Sequence, residues 1–412
     1  MKNIIYLFIC LIIFACSPKN KEQIASLIPP SDCNRFNEFT LDFRDSLAIE
    51  VPKQSFPAYE NNQVVGDKYL VCHKRNSYKI EIFDIIDKTH LQTITLDPNL
   101  VGNIGSFYVH NLDSIFFAKE PFEVLLIDKN GQIIQKWQLD NAPINWSLTG
   151  KENTNNIPLY YFPNIIQSIL SYDNINHRLF VNLTNIDIWY FGNRQDFKLH
   201  GVFDLVDNNW NLLYGHLPNI YASKGAQEIM YPFHLSQPFC LIKGDTSIIS
   251  FPLDHYLYVY NNKTGKLLSS HCANGSDNQA IGVPLKYDVD MQEQVNFTIT
   301  SPHYGKLNYH QKIKLYSRIY LYGEILRNND GTIKKTSDKR LAVIFLDENF
   351  KIVGEYLFDK DAAYERLGGT AKNDAIALSD GFLATKKKQY IYTDDILSCA
   401  TYLQIKKQNI EK

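Results

Sequence analysis

Val124-Leu125-Leu126-Ile127-Asp128-Lys129-Asn130-Gly131-Gln132-Ile133-Ile134 reads as an apolar strand, a polar turn and a second apolar strand. Asp, Asn and Gly stand where a tight hairpin needs side-chain caps and positive φ. The same sentence recurs along the chain. Leu257 to Leu267 repeats it around Asn261, Val343 to Ile352 around Asp347, and Val202 to Leu212 around Asp207. Ile80 to Thr93 around Asp87 and Tyr390 to Leu397 around Asp394 are looser copies.

Each copy follows another turn-then-strand element. These begin at Asp67, Asp113, Asn176, Asp245, Ser317 and Asp380. Their spacing averages roughly 63 residues, longer than common propeller repeats, so the units carry insertions. Candidate insertions are Asn141 to Pro158, Pro218 to Met230, Asn274 to Glu293 and Asn328 to Asp338. Units of about four strands that cannot bury both faces alone predict an all-β fold, a β-propeller. Six four-stranded blades fit best, with seven as the alternative count. Phe39 to Phe43 is the candidate strand for completing the last blade, which removes exposed edges.

Composition agrees. Tyr and Phe number 26 and 24, against 3 Met, which suits pleated strands. With 42 basic and 44 acidic residues there is no basic stripe, so nucleic acid is not an expected partner. Lys386-Lys387-Lys388, a tight basic run, reads as a solvated edge.

The N-terminus sets topology. Lys2 precedes an apolar run from Ile4 to Ala15, too short to span a bilayer, and Cys16 follows it. We read residues 1–15 as a lipoprotein signal peptide, 16–36 as lipidated Cys16 and tether, and 37–412 as one propeller domain. No later stretch is long and apolar enough for a transmembrane helix. Ser17-Pro18-Lys19-Asn20-Lys21-Glu22 is basic before it is acidic, so the expected location is the periplasmic side of the outer membrane, lipid-anchored, with the cell surface as the alternative.

The Cys16 lipobox, Ser250-Phe251-Pro252 followed by Tyr256 to Tyr260, and Thr264-Gly265-Lys266 together resemble the Bacteroidota lipoproteins of domain of unknown function 4221. That resemblance implies a six-bladed, TolB-like propeller. It supplies no catalytic residues to carry over.

Residues that bear chemistry are few. No nucleophile elbow, zincin, P-loop or dinucleotide motif occurs, and no catalytic residue, cofactor or metal is assigned. Asp288, Asp290 and Asn328-Asn329-Asp330-Gly331 lack a full calcium ligand set and read as solvated loop acids. His255, His303 and Tyr304 are candidate ligand contacts near strand entries. Asp361 to Gly369 predicts a short loop helix that brings Tyr364 and Arg366 to the channel mouth. Among the cysteines left after Cys10 and Cys16, Cys33 and Cys399 are candidates to pair if the N-terminal strand closes the last blade. The functional expectation is an envelope binding or scaffold module for a protein or glycan. The alternative is a channel-sited lyase or hydrolase acting on a glycan or another small envelope substrate, because such sites leave no local motif.

Overall fold

The computed structural model describes residues 33, 35–50, 61–66, 68–73, 78–101, 104–119, 123–139, 170–183, 198–221, 229–232, 235–286, 289–358, 375–378, 381–385 and 396–407. Among them, five four-stranded antiparallel sheets each take four consecutive strands. Blade one holds Asn61–Val65, Tyr69–His73, Lys79–Asp84 and Thr89–Thr95. Blade two holds Ile104–Asn111, Ser114–Lys119, Glu123–Ile127 and Ile133–Gln138. Blade three holds Leu170–Asp173, Arg178–Asn182, His200–Asp204 and Asn209–Tyr214. Blade four holds Phe239–Lys243, Thr246–Ser250, Tyr256–Asn261 and Leu267–Cys272. Blade five holds His303–His310, Leu315–Leu321, Leu341–Leu346 and Ile352–Leu357.

A further four-stranded sheet joins the chain ends. Ala375–Leu378, Gly381–Thr385 and Ile396–Lys407 are completed by Phe39–Glu50, which pairs antiparallel with Ile396–Lys407. First strands of neighbouring sheets pack side by side, and Ala375–Leu378 bridges blade five to blade one. The fold is an all-β propeller. Its apolar cores lie between blades: Ile80, Ile94, Phe107 and Leu125 share one core from blades one and two. Ile248, Leu257, Tyr304 and Ile344 share another from blades four and five.

In blades one to five the quoted hairpins are the third and fourth strands, and Tyr390 to Asp394 lies outside the described residues. In each of the five, the Asp or Asn that starts the turn caps it; in blades one and three that residue is Asp84 or Asp204, and not Asp87 or Asp207. Asp128 accepts the backbone N–H groups of Asn130 and Gln132 at 2.8 and 2.9 Å. Asp347 does the same for Asn349 and Lys351, and Asn261 for Lys263 and Thr264. Gly131 sits at φ 79°, and a Cβ there would drive into Ile94 of blade one. In all five blades the register then slips by one residue, placing a bulge in the outer strand.

Two expectations need correction. Cys33 pairs with Cys272, Cα atoms 5.7 Å apart, and not with Cys399. The reason is the path of the N-terminal segment, which runs beside blade five before it joins the closing sheet. Phe36 N–H donates to Ile352 O and Glu38 N–H to Val353 O. The first hairpin turn of blade five lies after His310, so Ser317 stands inside a strand and not before it. A helix unforeseen in the sequence spans Met291–Thr300, with Asp290 as its N-cap, 2.8 Å from Glu293 N. The helix expected at Asp361 to Gly369, with Tyr364 and Arg366, lies outside the described residues, as does Asp288.

Candidate functional site: the insertion face of blades four and five

In an antiparallel four-strand meander, first-to-second and third-to-fourth turns share one face of the ring. Second-to-third turns and blade-to-blade connections share the other. Among the described residues the first face has only short turns, such as 128–132, 244–245 and 347–351. The other face carries the long described connections, such as 273–286 with 289–302, and 322–340. On it lie the helix Met291–Thr300 and the small pair Ile229–Met230 with Leu285–Lys286. The calcium-like stretch is a hairpin turn there, with Asp330 accepting Thr332 N–H and Oγ1–H.

The insertion face is pinned by side chains that copy backbone. The Gln279 amide donates to Gly323 O at 3.2 Å and accepts Gly323 N–H at 2.6 Å. It thereby joins the insertion after blade four to the loop within blade five. Lys339, fully buried, donates to Thr298 O and Ser301 O at 2.7 and 2.6 Å, and so caps the helix C-terminus. Glu324 accepts from Lys334 and Arg340, and both cations hold its carboxyl below the usual range against the opposing pull of burial.

Beneath this face Arg318 is fully buried. Its Nε donates to Ser250 Oγ at 3.0 Å. Nη1 donates to Ala273 O at 2.9 Å and His255 O at 3.4 Å. Nη2 donates to Asp254 O at 2.7 Å and Phe251 O at 3.1 Å. All five guanidinium protons thus meet an acceptor. Burial pulls its pKa down, and Tyr304 and Asp254 oppose that pull.

The candidate ligand contacts fall into this layer. His255 Nδ1 lies 2.7 Å from Tyr304 Oη, both residues buried. His303 Nδ1 lies 3.2 Å from Lys339 Nζ. The sequence singled out these three as ligand contacts; the structure buries all of them, His255 and Tyr304 beside Arg318 and His303 beside Lys339, and Arg318, Lys339 and Asp254 were not foreseen. Burial lifts the Asp254 carboxyl to about 6, although Tyr256 N–H and Tyr258 Oη–H donate to it at 2.9 and 2.8 Å. The geometry binds loops to blades and presents the helix outward. Val283, Met291, Val295 and Ile325 are the exposed apolar side chains around it.

The N-terminal segment locks on at the same seam. Beyond the Cys33–Cys272 cross-link, Arg35 pairs with Glu355 at 3.1 Å and donates to Asn274 and Gly275 carbonyls. Among the described residues no helix is long and apolar enough to cross a membrane, and no three His, Cys, Asp or Glu gather as metal ligands.

Among solved structures, a family member from Bacteroides vulgatus matches with TM-score 0.65 at 15% identity, covering 91% of this chain and 100% of that one. A putative exported protein from Bacteroides fragilis matches at TM-score 0.48 and 12% identity, over 92% and 98% of the two chains. BamB from Moraxella catarrhalis matches at 0.36 and 11%, over 83% and 71%. No protein of curated function matches the sequence. The first of these likenesses carries the fold, and the family profile described as domain of unknown function 4221 matches residues 38–357; the chain belongs to that family.

Proposed function

We propose that this chain is a lipid-anchored envelope binding module, held through Cys16 at the periplasmic side of the outer membrane. Its insertion face recognises a protein or glycan partner. The observation that supports this reading is the one-sided placement of the long connections among the described residues, against an opposite face of short turns. Loops held on a rigid scaffold are where binding residues gather. The exposed Val283, Met291, Val295 and Ile325 supply the apolar centre a docking surface needs.

The test is photo-crosslinking in cells from a reactive residue placed at Ile325 or Val295, with Lys129 on the plain face as control. One dominant adduct from the insertion face alone supports the reading. Equal or absent adducts from the two faces reject it. Mass measurement of the mature N-terminus tests the anchor separately: an unmodified Cys16 removes that part.

A further inference from the structure

Blade four joins its second and third strands through 251–255, whereas blade five uses 322–340 for the same connection. The added chain is a two-stranded hairpin on the insertion face. Asn328 N–H donates to Thr332 O at 2.8 Å and Lys334 N–H to Leu326 O at 2.9 Å, with Arg327 opposite Ile333. The turn is braced from within. Gly331 N–H donates to Asn328 O, Arg327 Nη1 donates to Gly331 O at 2.8 Å, and Asp330 accepts from Thr332.

Alternation gives this hairpin two unlike faces. Leu326 and Lys334 share the inner face, where Lys334 meets Glu324 at 3.0 Å and the two side chains are only 11% and 8% exposed. Ile325, Arg327, Ile333 and Lys335 share the outer face and are all exposed, the isoleucines at 79% and 42%. The carboxylates of the connection are engaged locally: Glu324 by Lys334 and Arg340, Asp330 by Thr332, and Asp338 by Lys335 N–H. Lys339 is buried against the helix end. Arg327 and Lys335 are the cations that remain on the outer face, next to two isoleucines. The backbone is open there too. Arg327 and Ile333 form the type of antiparallel pair that exchanges no hydrogen bonds, so their N–H and C=O groups point to the hairpin's two edges.

We infer that the outer face of this hairpin docks an extended, acidic stretch of a partner polypeptide, a partner class that rests on the binding-module reading. Carboxylates of the partner meet Arg327 and Lys335, and its aliphatic side chains meet Ile325 and Ile333. Charge complementarity sets the sign: with the hairpin's own acids engaged, two cations are left for carboxylates from outside. Strand geometry selects a polypeptide over a glycan. Open backbone groups at an edge bond to an extended chain, and isoleucines at strand spacing meet side chains that a sugar lacks. Blade five takes such an addition at its outer strand as well, where Phe36 and Glu38 N–H donate to Ile352 O and Val353 O.

The test uses the full chain after its leader with Cys16→Ser and fluorescein-labelled peptides of alternating Glu and Val. Peptides of alternating Lys and Val are the control, and anisotropy is the readout. The Glu–Val peptide is expected to bind saturably, and more weakly as salt rises from about 50 to 300 mM. Arg327→Glu with Lys335→Glu, and separately Ile325→Ser with Ile333→Ser, should each weaken it by about tenfold at an unchanged melting temperature. Lys129→Glu with Lys266→Glu, on the opposite face, should leave it unchanged. A Glu–Val peptide that does not bind, a Lys–Val peptide that binds equally, or hairpin variants that bind like the parent overturn the inference. Loss in the charge-reversed variant without loss in the isoleucine variant overturns it too, because bare charge then accounts for the binding. Binding of dextran sulfate in place of the Glu–Val peptide also overturns it and gives the face to an anionic glycan. Failure with peptides leaves an insertion-face adduct in cells, and with it the binding-module reading, standing. Equal adducts from both faces reject that reading whatever the peptides do.

Discussion

The Arg318 guanidinium lies 3.6 Å from the centre of the Tyr304 ring, so a buried cation is stacked on an aromatic face whose hydroxyl is bonded to His255. This stacking, with five acceptors from blade four, makes one side chain of blade five the joint between two blades. Replacing Arg318 with Met removes the charge but strands four carbonyls and a hydroxyl in the interior. We expect a loss of about 3–5 kcal/mol, read from urea midpoints. Arg318→Lys has three donors where five are needed and should recover less than half of that loss. Near-native stability in the Met variant would disprove the joint.

Gln279 works on a smaller scale. Gln279→Ala leaves the Gly323 N–H and C=O to find water, at a cost of about 1–2 kcal/mol. The informative readout is local: hydrogen exchange at 322–326 should speed up while blades one and two keep their protection. Uniform exchange across the chain would mean that the link is not local.

The hairpins were legible because their determinants are contiguous. Asp128, Asn130 and Gly131 sit within one turn and do there what the sequence suggests. Arg318 was not legible, since its acceptors come from Ser250, from the stretch Phe251 to His255, and from Ala273, joined only by the fold. The helix Met291–Thr300 was hidden by its own residues. Val295, Phe297, Thr298, Ile299 and Thr300 favour strands, and packing of Phe297 and Ile299 into the blade seam overrides that preference. The cysteine pairing failed for a related reason: closure of the last sheet was foreseen, but not the detour beside blade five.

That detour predicts a specific chemistry. Peptide mapping without reduction should recover Cys33 linked to Cys272, and Cys33→Ser should cost about 2–4 kcal/mol. Cys72 is buried and its thiol is pushed well above the usual value, so it should not react with a soluble thiol reagent in the folded chain. A Cys33–Cys399 peptide would contradict the path described.

Gly354 is where the detour is tightest. A Cβ there would collide with the carbonyl of Phe39 as the N-terminal segment crosses blade five. Because the obstacle is backbone, Gly354→Ala should push the segment away, cost about 1–3 kcal/mol, and expose Val353. Limited proteolysis should then cut between Arg35 and Phe39 faster than in the parent. An unchanged cleavage rate would place the segment elsewhere.

Two buried groups give opposite pH slopes, and one substitution separates them. Burial raises the Asp254 carboxyl from 3.8 to about 6, so between those values the folded chain keeps a proton that the unfolded chain releases. Its contribution is fully present below about pH 4 and is lost as pH rises through 6, a swing on the order of 3 kcal/mol for a fully buried group. His200 runs the other way. Burial lowers it from 6.5 to about 3, with Nδ1 held 2.7 Å from Asn182 Oδ1, so its contribution is present above 6.5 and lost as pH falls. In the parent the two slopes partly cancel between pH 4 and 6. Asp254→Asn removes the first slope and leaves the second. The variant's urea midpoint, minus the parent's, should therefore climb from pH 4 to 6 and level off by pH 7, whatever constant offset the amide brings. A difference that stays flat across that range would mean that Asp254 ionises as an ordinary surface carboxyl, and that it lies outside the buried layer beneath the insertion face.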